Sequence, residues 1–377
     1  MNYRKFGPLD WEVSALGFGI MRMPHGEGEP SEILEEEASL MVRHAIDSGV
    51  NYLDTAYNYH GGNSESFLGR VLKDGYRRKV RIATKMPCWK IEGPEDFDRY
   101  FDEQLERLQV ETIDFYLLHG LQGDWWDQLK GFGYREWAER QMADGRIRYS
   151  GFSFHDKLPL FRRIVDEWDR WTMTLVMYNY MDIDYQAGAG GVRYAADNGL
   201  AVVVMEPLRG GLLAKEPPAS VRRIFEESER RRSYADWALQ WLWDQAEVSC
   251  VISGMSTMEQ LEENIAGACR SAVGRLTDEE RGLLARVRKE YLSKKPIDCT
   301  GCRYCMPCPE GVAIPNILGI YNLGRMYEAP DTARTHYGFV PEDRRQPSCT
   351  ECGQCMEKCP QHLDIIALLK EAHEHLA

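Results

Sequence analysis

Two short runs near the end of the chain carry residues that bind metals. CTGCRYCMPCP (299–309) and CTECGQCMEKCP (349–360) together hold eight of the 11 cysteines. Their spacings are C-x2-C-x2-C-x2-C-P and C-x2-C-x2-C-x3-C-P. Three cysteines at i, i+3 and i+6 can place thiolates on three iron atoms of a cubane, while the fourth points towards a second site. The spacings predict two [4Fe–4S] clusters with these ligands: Cys299, Cys302, Cys305, Cys308, Cys349, Cys352, Cys355 and Cys359.

Zinc and disulfides are the alternative explanations of the two runs. Structural zinc sites use pairs of cysteines and four ligands in all, so a triple in each run leaves thiols that zinc does not need. Disulfides form in oxidising compartments, and the N-terminus shows no apolar signal segment. Iron–sulfur clusters are therefore favoured. The scattered Cys88, Cys250 and Cys269 are expected to be buried or half-buried thiols.

The tail resembles a two-cluster bacterial ferredoxin module. In such modules the last cysteine of one run binds the cluster of the other run. The resemblance implies one cluster on Cys299, Cys302, Cys305 and Cys359, and the other on Cys349, Cys352, Cys355 and Cys308. The first run departs from the pattern, since it closes with x2 where the pattern has x3. The insert between the runs, residues 310–348, is predicted to contain at least one helix.

Four residues with catalytic chemistry stand at or just after the ends of three predicted strands. They are Asp54, Tyr59, Lys85 and His119. An ammonium beside a tyrosine stabilises the phenolate and is expected to lower the tyrosine pKa. Asp54 would keep Lys85 in place and charged, and His119 would donate a hydrogen bond to a substrate oxygen. Each residue alone has a structural alternative, an ion pair or a core histidine, but together they favour one site.

Eight short apolar strands alternate with amphipathic stretches and must position these residues. Such strands are typical of a parallel sheet covered on both faces, and strand–helix units 25 to 50 residues apart predict a (β/α)8 TIM barrel. An open doubly wound sheet is the alternative, although no G-x-G-x-x-G follows the first strand. The predicted strands are 15–19, 51–56, 80–86, 114–120, 147–154, 174–180, 200–207 and 248–255.

The predicted fold class is α/β, with two domains. A barrel over residues 1–290 is followed by a small α-helical, ferredoxin-like domain over residues 291–377. A charged helix in LTDEERGLLARVRKEYLSKKP (276–296) would lead from one to the other. Chemistry in such a barrel is expected at the C-terminal ends of its strands.

The segments DTAYNYHGGNSE (54–65), IATKMP (82–87) and YLLHG (116–120) resemble the tetrad motifs of the aldo/keto reductases. The opening YRKFGPLDWEVSALGFGIMRMP (3–24) is similar to that family too. With its tail, the whole chain resembles the iron–sulfur branch of the superfamily. The resemblance implies that Tyr59 is the general acid for a carbonyl oxygen, that Lys85 and Asp54 tune it, and that His119 orients the carbonyl. Hydride would come from a nicotinamide cofactor.

The resemblance also implies residues that contact NADP(H) or NAD(H). GFSFH (151–155) is similar to the nicotinamide amide clamp, but Phe154 stands where many members have asparagine, and Leu175 where they have glutamine. SGMSTMEQLEEN (253–264) resembles the loop and helix start that bind the adenosine phosphate end; it has no Lys or Arg, so the choice of cofactor stays open. The implied contacts are Gly19, Met21, Ser153, His155, Met205, Pro207, Leu208, Gly254, Met255, Ser256, Gln260, Glu263 and Asn264.

Composition narrows the class of protein and of partner. A net charge of -13 argues against nucleic acid as the main partner, which a broad basic face would suit. No run of 18 apolar residues is present, so no membrane span is predicted, and the cytoplasm is the expected location. Trp125, Trp126 and Trp137 either border the mouth of the barrel or pack its helices.

Three functions remain open at this point. The first is a nicotinamide-dependent oxidoreductase that reduces an aldehyde or ketone, or oxidises an alcohol, with clusters for electron transfer or structure. The second is a ferredoxin-type electron-transfer protein whose barrel docks a nicotinamide or a redox partner protein. The third is a nicotinamide sensor, against which the complete tetrad argues. We expect the first.

Overall fold

The structure is a computed structural model that describes residues 1–26 and 32–377. The chain forms two compact units, and the first comprises Met1–Ala214 and Arg232–Thr277. A two-stranded antiparallel hairpin opens it, formed by β1 (Tyr3–Lys5) and β2 (Glu12–Ser14). Eight parallel strands then close into a barrel: β3 (Leu16–Gly19), β4 (Tyr52–Asp54), β5 (Arg81–Met86), β6 (Ile113–Leu121), β7 (Ile147–Phe154), β8 (Trp171–Met177), β9 (Ala201–Met205) and β10 (Val248–Ser253).

Helices surround this barrel. They are α1 (Glu35–Asp47), α2 (Ser64–Val71), α3 (Glu95–Leu108), α4 (Trp125–Gly131), α5 (Tyr134–Ala143), α6 (Leu158–Glu167), α7 (Gly188–Asp197), α9 (Tyr234–Trp243) and α10 (Met258–Cys269). Helix α3 shows why they form, since Phe97, Phe101, Leu105 and Leu108 recur on one face and are buried. The predicted barrel is confirmed.

Side chains inside the barrel follow the two-residue alternation of the strands. The interior cluster contains Tyr52 of β4, Ala83 of β5, and Phe115 and Leu117 of β6. Two residues further along each strand, the same inward face carries Asp54 on β4, Lys85 on β5 and His119 on β6. These three residues lie at the C-terminal ends of their strands. Phe6, directly after β1, and Val13 of β2 pack into the same cluster from the other end. The barrel thus has a packed interior and one polar mouth.

The predicted strand 174–180 is wrong in its bounds, because β8 runs from Trp171 to Met177. Asn179 explains where the strand ends. Its Oδ1 accepts hydrogen bonds from the backbone N–H groups of Met181 and Asp182, both at 3.0 Å. A side chain that replaces backbone partners in this way favours a turn over continued sheet.

The second unit comprises Lys215–Arg231 and Asp278–Ala377. Its helices are α8 (Ala219–Glu226), α11 (Asp278–Ser293), α12 (Ile314–Met326), α13 (Pro330–Gly338), α14 (Gln354–Glu357) and α15 (Ile365–Leu376). Its core includes Ile317, Tyr321, Tyr337 and Leu369. The insert between the cysteine runs therefore forms helices, as predicted.

The domain limit at residue 290 stays a prediction. That residue lies within α11, all of which belongs to the second unit. In the described parts of the chain, no helix has the length and apolar character needed to cross a membrane.

Candidate active site

The Lys85 ammonium is the centre of the polar group at the mouth of the barrel. It donates to Asp54 Oδ1 at 2.6 Å, to the Thr55 carbonyl at 2.7 Å and to Tyr59 Oη at 3.4 Å. The Lys85 and Asp54 side chains are 1% and 6% exposed, so this is a buried ion pair. Such a pair is stable only when its remaining donors and acceptors are satisfied, and the Thr55 carbonyl contributes to that. Sequence reasoning placed these three residues together, and the structure brings them together.

Burial sets the protonation of the pair and of Tyr59. Burial raises the pKa of Asp54, and the Lys85 charge opposes this. Burial lowers the pKa of Lys85, but the charges of Asp54 and of a Tyr59 phenolate raise it more. Burial also raises the pKa of Tyr59, and Lys85 reduces this rise without cancelling it. The expectation of a lowered tyrosine pKa is therefore wrong in its net direction, because loss of water outweighs the neighbouring ammonium.

Tyr59 lies on a single helical turn, Tyr59–Gly62, that follows β4. The next residue, His60, has a left-handed backbone with φ 50° and ψ 47°. Its Nε2 accepts a hydrogen bond from the Met23 N–H at 3.2 Å, which ties this turn to the segment after β3. Left-handed backbone is uncommon for residues other than glycine and persists where contacts hold it. The turn that presents the Tyr59 hydroxyl is therefore anchored to the segment after β3.

His119 completes the tetrad on the edge of the mouth. Its ring centroid lies 6.0 Å from that of Tyr59 and 5.1 Å from that of Trp89. Burial, with the charges of Lys85 and His155, holds the pKa of His119 well below its ordinary value. The imidazole is therefore neutral near pH 7 and can donate one N–H. Trp89, 43% exposed, is a mouth residue that sequence reasoning missed.

Two polar atoms of the tetrad remain available to a bound molecule. Asp54 Oδ2 and His119 Nδ1 are buried and have no hydrogen-bond partner among the residues that the structure describes. Buried polar atoms are normally paired, so each exception calls for an explanation. A ligand with hydroxyl and carbonyl groups, such as a nicotinamide ribose with a carbonyl substrate, fits these two atoms.

A buried polar network lies behind Lys85, and sequence reasoning missed it entirely. Gln104 donates from Nε2 to Glu65 Oε1 at 2.6 Å and to the Lys85 carbonyl at 3.0 Å. Its own Oε1 accepts from the Tyr116 hydroxyl at 2.7 Å. Thr84 donates to the same Glu65 oxygen at 2.5 Å. Gln104, Glu65 and Tyr116 are fully buried, so the network joins α2, α3, β5 and β6 behind the tetrad.

The residues expected at the nicotinamide end lie around the mouth, with differing partners. Ser153 Oγ accepts from the Gly120 N–H at 2.6 Å, and His155 Nδ1 lies 3.3 Å from Gln186 Nε2. Leu175, in the position of the family's glutamine, is buried within the barrel interior. The remaining expected residues are Gly19 beside Ile252, exposed Met21, Met205 at the end of β9, buried Pro207 and half-buried Leu208.

The segment after β10 has a preformed helix start. Thr257 Oγ1 accepts from the Gln260 N–H at 3.3 Å, and Gln260 Oε1 accepts from the Ser256 N–H at 2.9 Å. Asn264 Nδ2 donates to Ser253 Oγ at 3.0 Å, which holds α10 against β10. The Met255 side chain is packed in the outer core. Gly254 and Glu263 are exposed at the surface of this segment.

Gly254 and the glycines after β9 leave room for a phosphate-bearing ligand. A Cβ atom at position 254 would lie 3.2 Å from Arg22 Cδ, so a side chain there would displace Arg22. Gly210 and Gly211 have φ values of 65° and 91°, which favour glycine. Glycine-rich backbone beside a helix start suits phosphate oxygens. The residues present thus fit a nicotinamide dinucleotide across the ends of β9 and β10.

The cysteines of the second unit line two cavities. One is bordered by Cys305, Cys308, Cys349, Cys352 and Cys355. The other is bordered by Cys299, Cys302, Cys305 and Cys359. Each cavity therefore contains the four cysteines of one predicted crossed set. Among the described residues, no three His, Cys, Asp or Glu side chains converge as ligands of a single metal ion.

Trp126 and Trp137 are packing residues. They are 0% and 2% exposed, and their ring N–H groups donate to Glu167 and Asp98 at 2.7 Å. Both side chains are buried on the outside of the barrel, so they do not border its mouth. Trp125 packs against the same outer core.

Comparison with known proteins identifies both parts of the chain. Residues 15–287 match the sequence profile of the "Aldo/keto reductase family", and residues 298–363 match a "4Fe-4S dicluster domain". L-galactose dehydrogenase of Arabidopsis thaliana is 28% identical over 288 residues, which are 71% of this chain and 88% of the plant protein. The uncharacterized oxidoreductase YqkF of Bacillus subtilis is 26% identical over 327 residues, 78% of this chain and 99% of the bacterial protein.

Solved structures agree with these matches. The holo form of aldo-keto reductase AKR11C1 from Bacillus halodurans has a TM-score of 0.63 and 26% identity, over 76% of this chain and 96% of that one. The thermostable aldo-keto reductase Tm1743, solved with the inhibitor epalrestat, has a TM-score of 0.65 and 26% identity, over 76% and 100%. The profile match spans most of the chain, and the barrel carries its tetrad at the mouth. This chain belongs to the aldo/keto reductase family, and a 4Fe-4S dicluster domain follows the barrel in its sequence.

Proposed function

We propose that this oxidoreductase uses NADPH or NADH to reduce an aldehyde or ketone to the alcohol, and catalyses the reverse oxidation. The observation that supports this most strongly is the position of the Lys85 ammonium, 2.6 Å from Asp54 and 3.4 Å from Tyr59. A protonated tyrosine beside a held ammonium is suited to give a proton to an oxygen that becomes negative.

The four residues have distinct parts in the proposed reaction. Tyr59 is the general acid, and its hydroxyl proton passes to the carbonyl oxygen while a phenolate forms. Lys85 stabilises that phenolate, and Asp54 keeps Lys85 charged and in place. His119, neutral because its pKa is lowered, donates an N–H to the same carbonyl oxygen and orients it. The bound reduced nicotinamide supplies the hydride that completes the C–H bond.

The cofactor would lie across the ends of β7, β9 and β10. Ser153 and His155 would contact the nicotinamide amide, and Met205, Pro207 and Leu208 would contact its ring and ribose. Gly19 and Met21 border the opposite side. Gly254, Met255, Ser256, Gln260, Glu263 and Asn264 would take the adenosine end.

Removal of the Tyr59 hydroxyl tests the proposal. Tyr59→Phe retains the ring and should lower carbonyl reduction, followed by reduced-nicotinamide absorbance, by about 10²-fold or more, which is the range of general acid catalysis. Cofactor binding by the same variant should remain close to the wild-type value. A wild-type rate in Tyr59→Phe would exclude the acid role.

A ferredoxin-type function is the second candidate, and the two cysteine-lined cavities favour it. The clusters would then accept single electrons, from a redox partner protein, in addition to any part they have in stability. The test is to photoreduce the clusters without oxygen and add oxidised nicotinamide cofactor. Return of cluster absorption together with reduced nicotinamide would show internal electron transfer, and no change would leave the clusters structural or bound to an outside partner.

The proposed location is the cytoplasm. Clusters with cysteine ligands require thiols that are kept reduced, which the cytosol provides. The proposed substrate is a small carbonyl compound or alcohol, since the tetrad offers one acid and one orienting donor.

A further inference from the structure

The Glu206 carboxylate lies in a small anion-binding position at the mouth. Its Oε2 accepts from the Gly210 N–H at 2.5 Å, and its Oε1 lies 4.0 Å from the Arg22 guanidinium. A backbone N–H beside a guanidinium is a combination that binds phosphate oxygens. The protein's own carboxylate therefore lies where an anionic ligand would find both donors.

Arg22 reaches this position from the opposite end of the chain. It ends the short helical turn Ile20–Arg22 after β3, and its carbonyl accepts from Ser256 Oγ at 2.8 Å. Its aliphatic stem lies over Gly254, where only glycine leaves it room. The guanidinium is thus placed over the ends of β9 and β10, the seventh and eighth strands of the barrel. The loops after these two strands form the common phosphate site of (β/α)8 enzymes.

Glu206 is held in an unusual conformation next to the tetrad. Its φ is 55°, in the left-handed region, and Asn179 Nδ2 donates to its carbonyl at 3.1 Å. Burial raises the pKa of Tyr59 and lowers that of His155; the Glu206 charge adds to the first shift and opposes the second, so Glu206 belongs to the same mouth. Backbone strain of this kind persists where surrounding contacts fix it, and it is frequent at ligand sites.

Resting on the proposed function, we propose that Arg22 binds a phosphate group of the nicotinamide dinucleotide and that Glu206 is the counter-ion which this phosphate displaces. Arg22 then supplies the cation that the stretch 253–264 lacks. The Arg22 and Glu206 side chains are 47% and 35% exposed, so their 4.0 Å contact is weak and easily exchanged. A phosphate offers more acceptor oxygens and more charge than the carboxylate.

The experiment measures dissociation constants of NADPH and NADH for the full-length, cluster-loaded protein. The variants are Arg22→Met, Arg22→Lys, Glu206→Gln and the Arg22→Met/Glu206→Gln double variant. Arg22→Met retains a long apolar stem over Gly254 and should weaken binding about tenfold, as expected for a lost charge-assisted bond. Arg22→Lys should lose much less. Glu206→Gln should tighten binding about threefold, and this gain should disappear in the double variant.

The two cofactors distinguish the two phosphate sources. Equal losses for NADH and NADPH in Arg22→Met assign the shared diphosphate, and a loss for NADPH alone assigns the 2′-phosphate; either supports the proposal. Dissociation constants within twofold of wild type for both cofactors would overturn it. The proposal would also be overturned if Glu206→Gln tightened cofactor binding equally in the Arg22→Met background.

Failure of the proposed function has a different signature. If the wild type binds neither cofactor, the reductase proposal fails, and inorganic pyrophosphate becomes the probe of Arg22. Calorimetric binding of pyrophosphate that Arg22→Met abolishes would still support the phosphate role. Absence of pyrophosphate binding by the wild type would overturn it. Thermal unfolding of each variant checks that the fold is intact.

Discussion

Gln104 donates a hydrogen bond to the main-chain carbonyl of Lys85 at 3.0 Å, and so connects helix α3 to the catalytic end of β5. The same amide binds Glu65 and Tyr116, so its donors and acceptor are all used. A side chain with every hydrogen bond satisfied in a dry interior has one stable orientation. Gln104 is therefore a positioning residue for Lys85, although it does not contact the mouth.

Gln104→Leu should lower kcat about tenfold with little change in KM. The leucine cannot hold the Lys85 carbonyl, and small displacements of catalytic groups are costly to rate. It also removes one hydrogen bond from Glu65, which keeps Thr84, and takes away the acceptor of the buried Tyr116 hydroxyl, at a cost of about 1–3 kcal/mol in the free energy of unfolding. Steady-state kinetics and thermal unfolding measure the two effects.

Gln141→Leu is the matched control for this prediction. Gln141 is buried on α5 and donates to Asp98 at 3.1 Å, away from the tetrad. It should lose stability but keep its kcat. Equal losses of kcat in the two variants would show that Gln104 acts only through stability.

Lys85→Met should raise the pKa of Tyr59 further and slow reduction by about 10²-fold or more. Burial already raises this pKa, and Lys85 is the charge that opposes the rise. Because the acid must carry its proton, the rate should be constant at low pH and decline as pH passes above the tyrosine pKa. In the wild type this decline should lie above about pH 10, the ordinary tyrosine value.

The phenolate of Tyr59 can be followed directly. Ultraviolet titration of the wild type minus that of Tyr59→Phe isolates this one tyrosine, and the same difference in the Lys85→Met background gives the shifted value. A midpoint that is unchanged, or lower, without Lys85 would contradict the electrostatic role.

His119 should produce no step in the pH–rate profile between about pH 6 and 8, where histidine ordinarily titrates. Its pKa is held well below that range by burial and by the charges of Lys85 and His155. Since only its neutral form is present at neutral pH, the imidazole acts as a hydrogen-bond donor. His119→Gln should be slower than the wild type, with an equally flat profile. An inflection near pH 6.5 that disappears in His119→Gln would show an imidazolium instead.

The strand order and the tetrad could be predicted because both depend on short-range pattern. Each strand is an apolar run, and every second residue along a strand lies on the same face of the sheet. Asp54, Lys85 and His119 were predicted from their places at the ends of these runs and from the family motifs. The end of β8 was missed because the tyrosines after it are as apolar as the strand, and only the Asn179 turn stops it.

The partners of these residues could not be predicted, because they come from distant parts of the sequence. Glu65 and Gln104 are 39 positions apart, and nothing in either helix marks a buried pair. Arg22 and Ser256 are 234 positions apart. The stretch 253–264 was therefore interpreted as lacking a cation, although the fold brings one over it. The predicted direction of the Tyr59 pKa shift was wrong for a similar reason, because the sequence shows the neighbouring lysine but not the burial of the tyrosine.

Paired cysteine substitutions should show that each cluster is bound by three cysteines of one run and by the last cysteine of the other run. Cys308 borders the cavity that contains Cys349, Cys352 and Cys355, although it belongs to the other run. Cys308→Ala should therefore lose about half of the iron, because one of two clusters loses a ligand. Adding Cys349→Ala should cost little further iron, since both residues bind the same cluster. Adding Cys299→Ala instead should remove most of the remainder. Iron analysis and electron paramagnetic resonance of the reduced protein measure these losses, and the opposite result for the two double variants would establish that each run binds its own cluster.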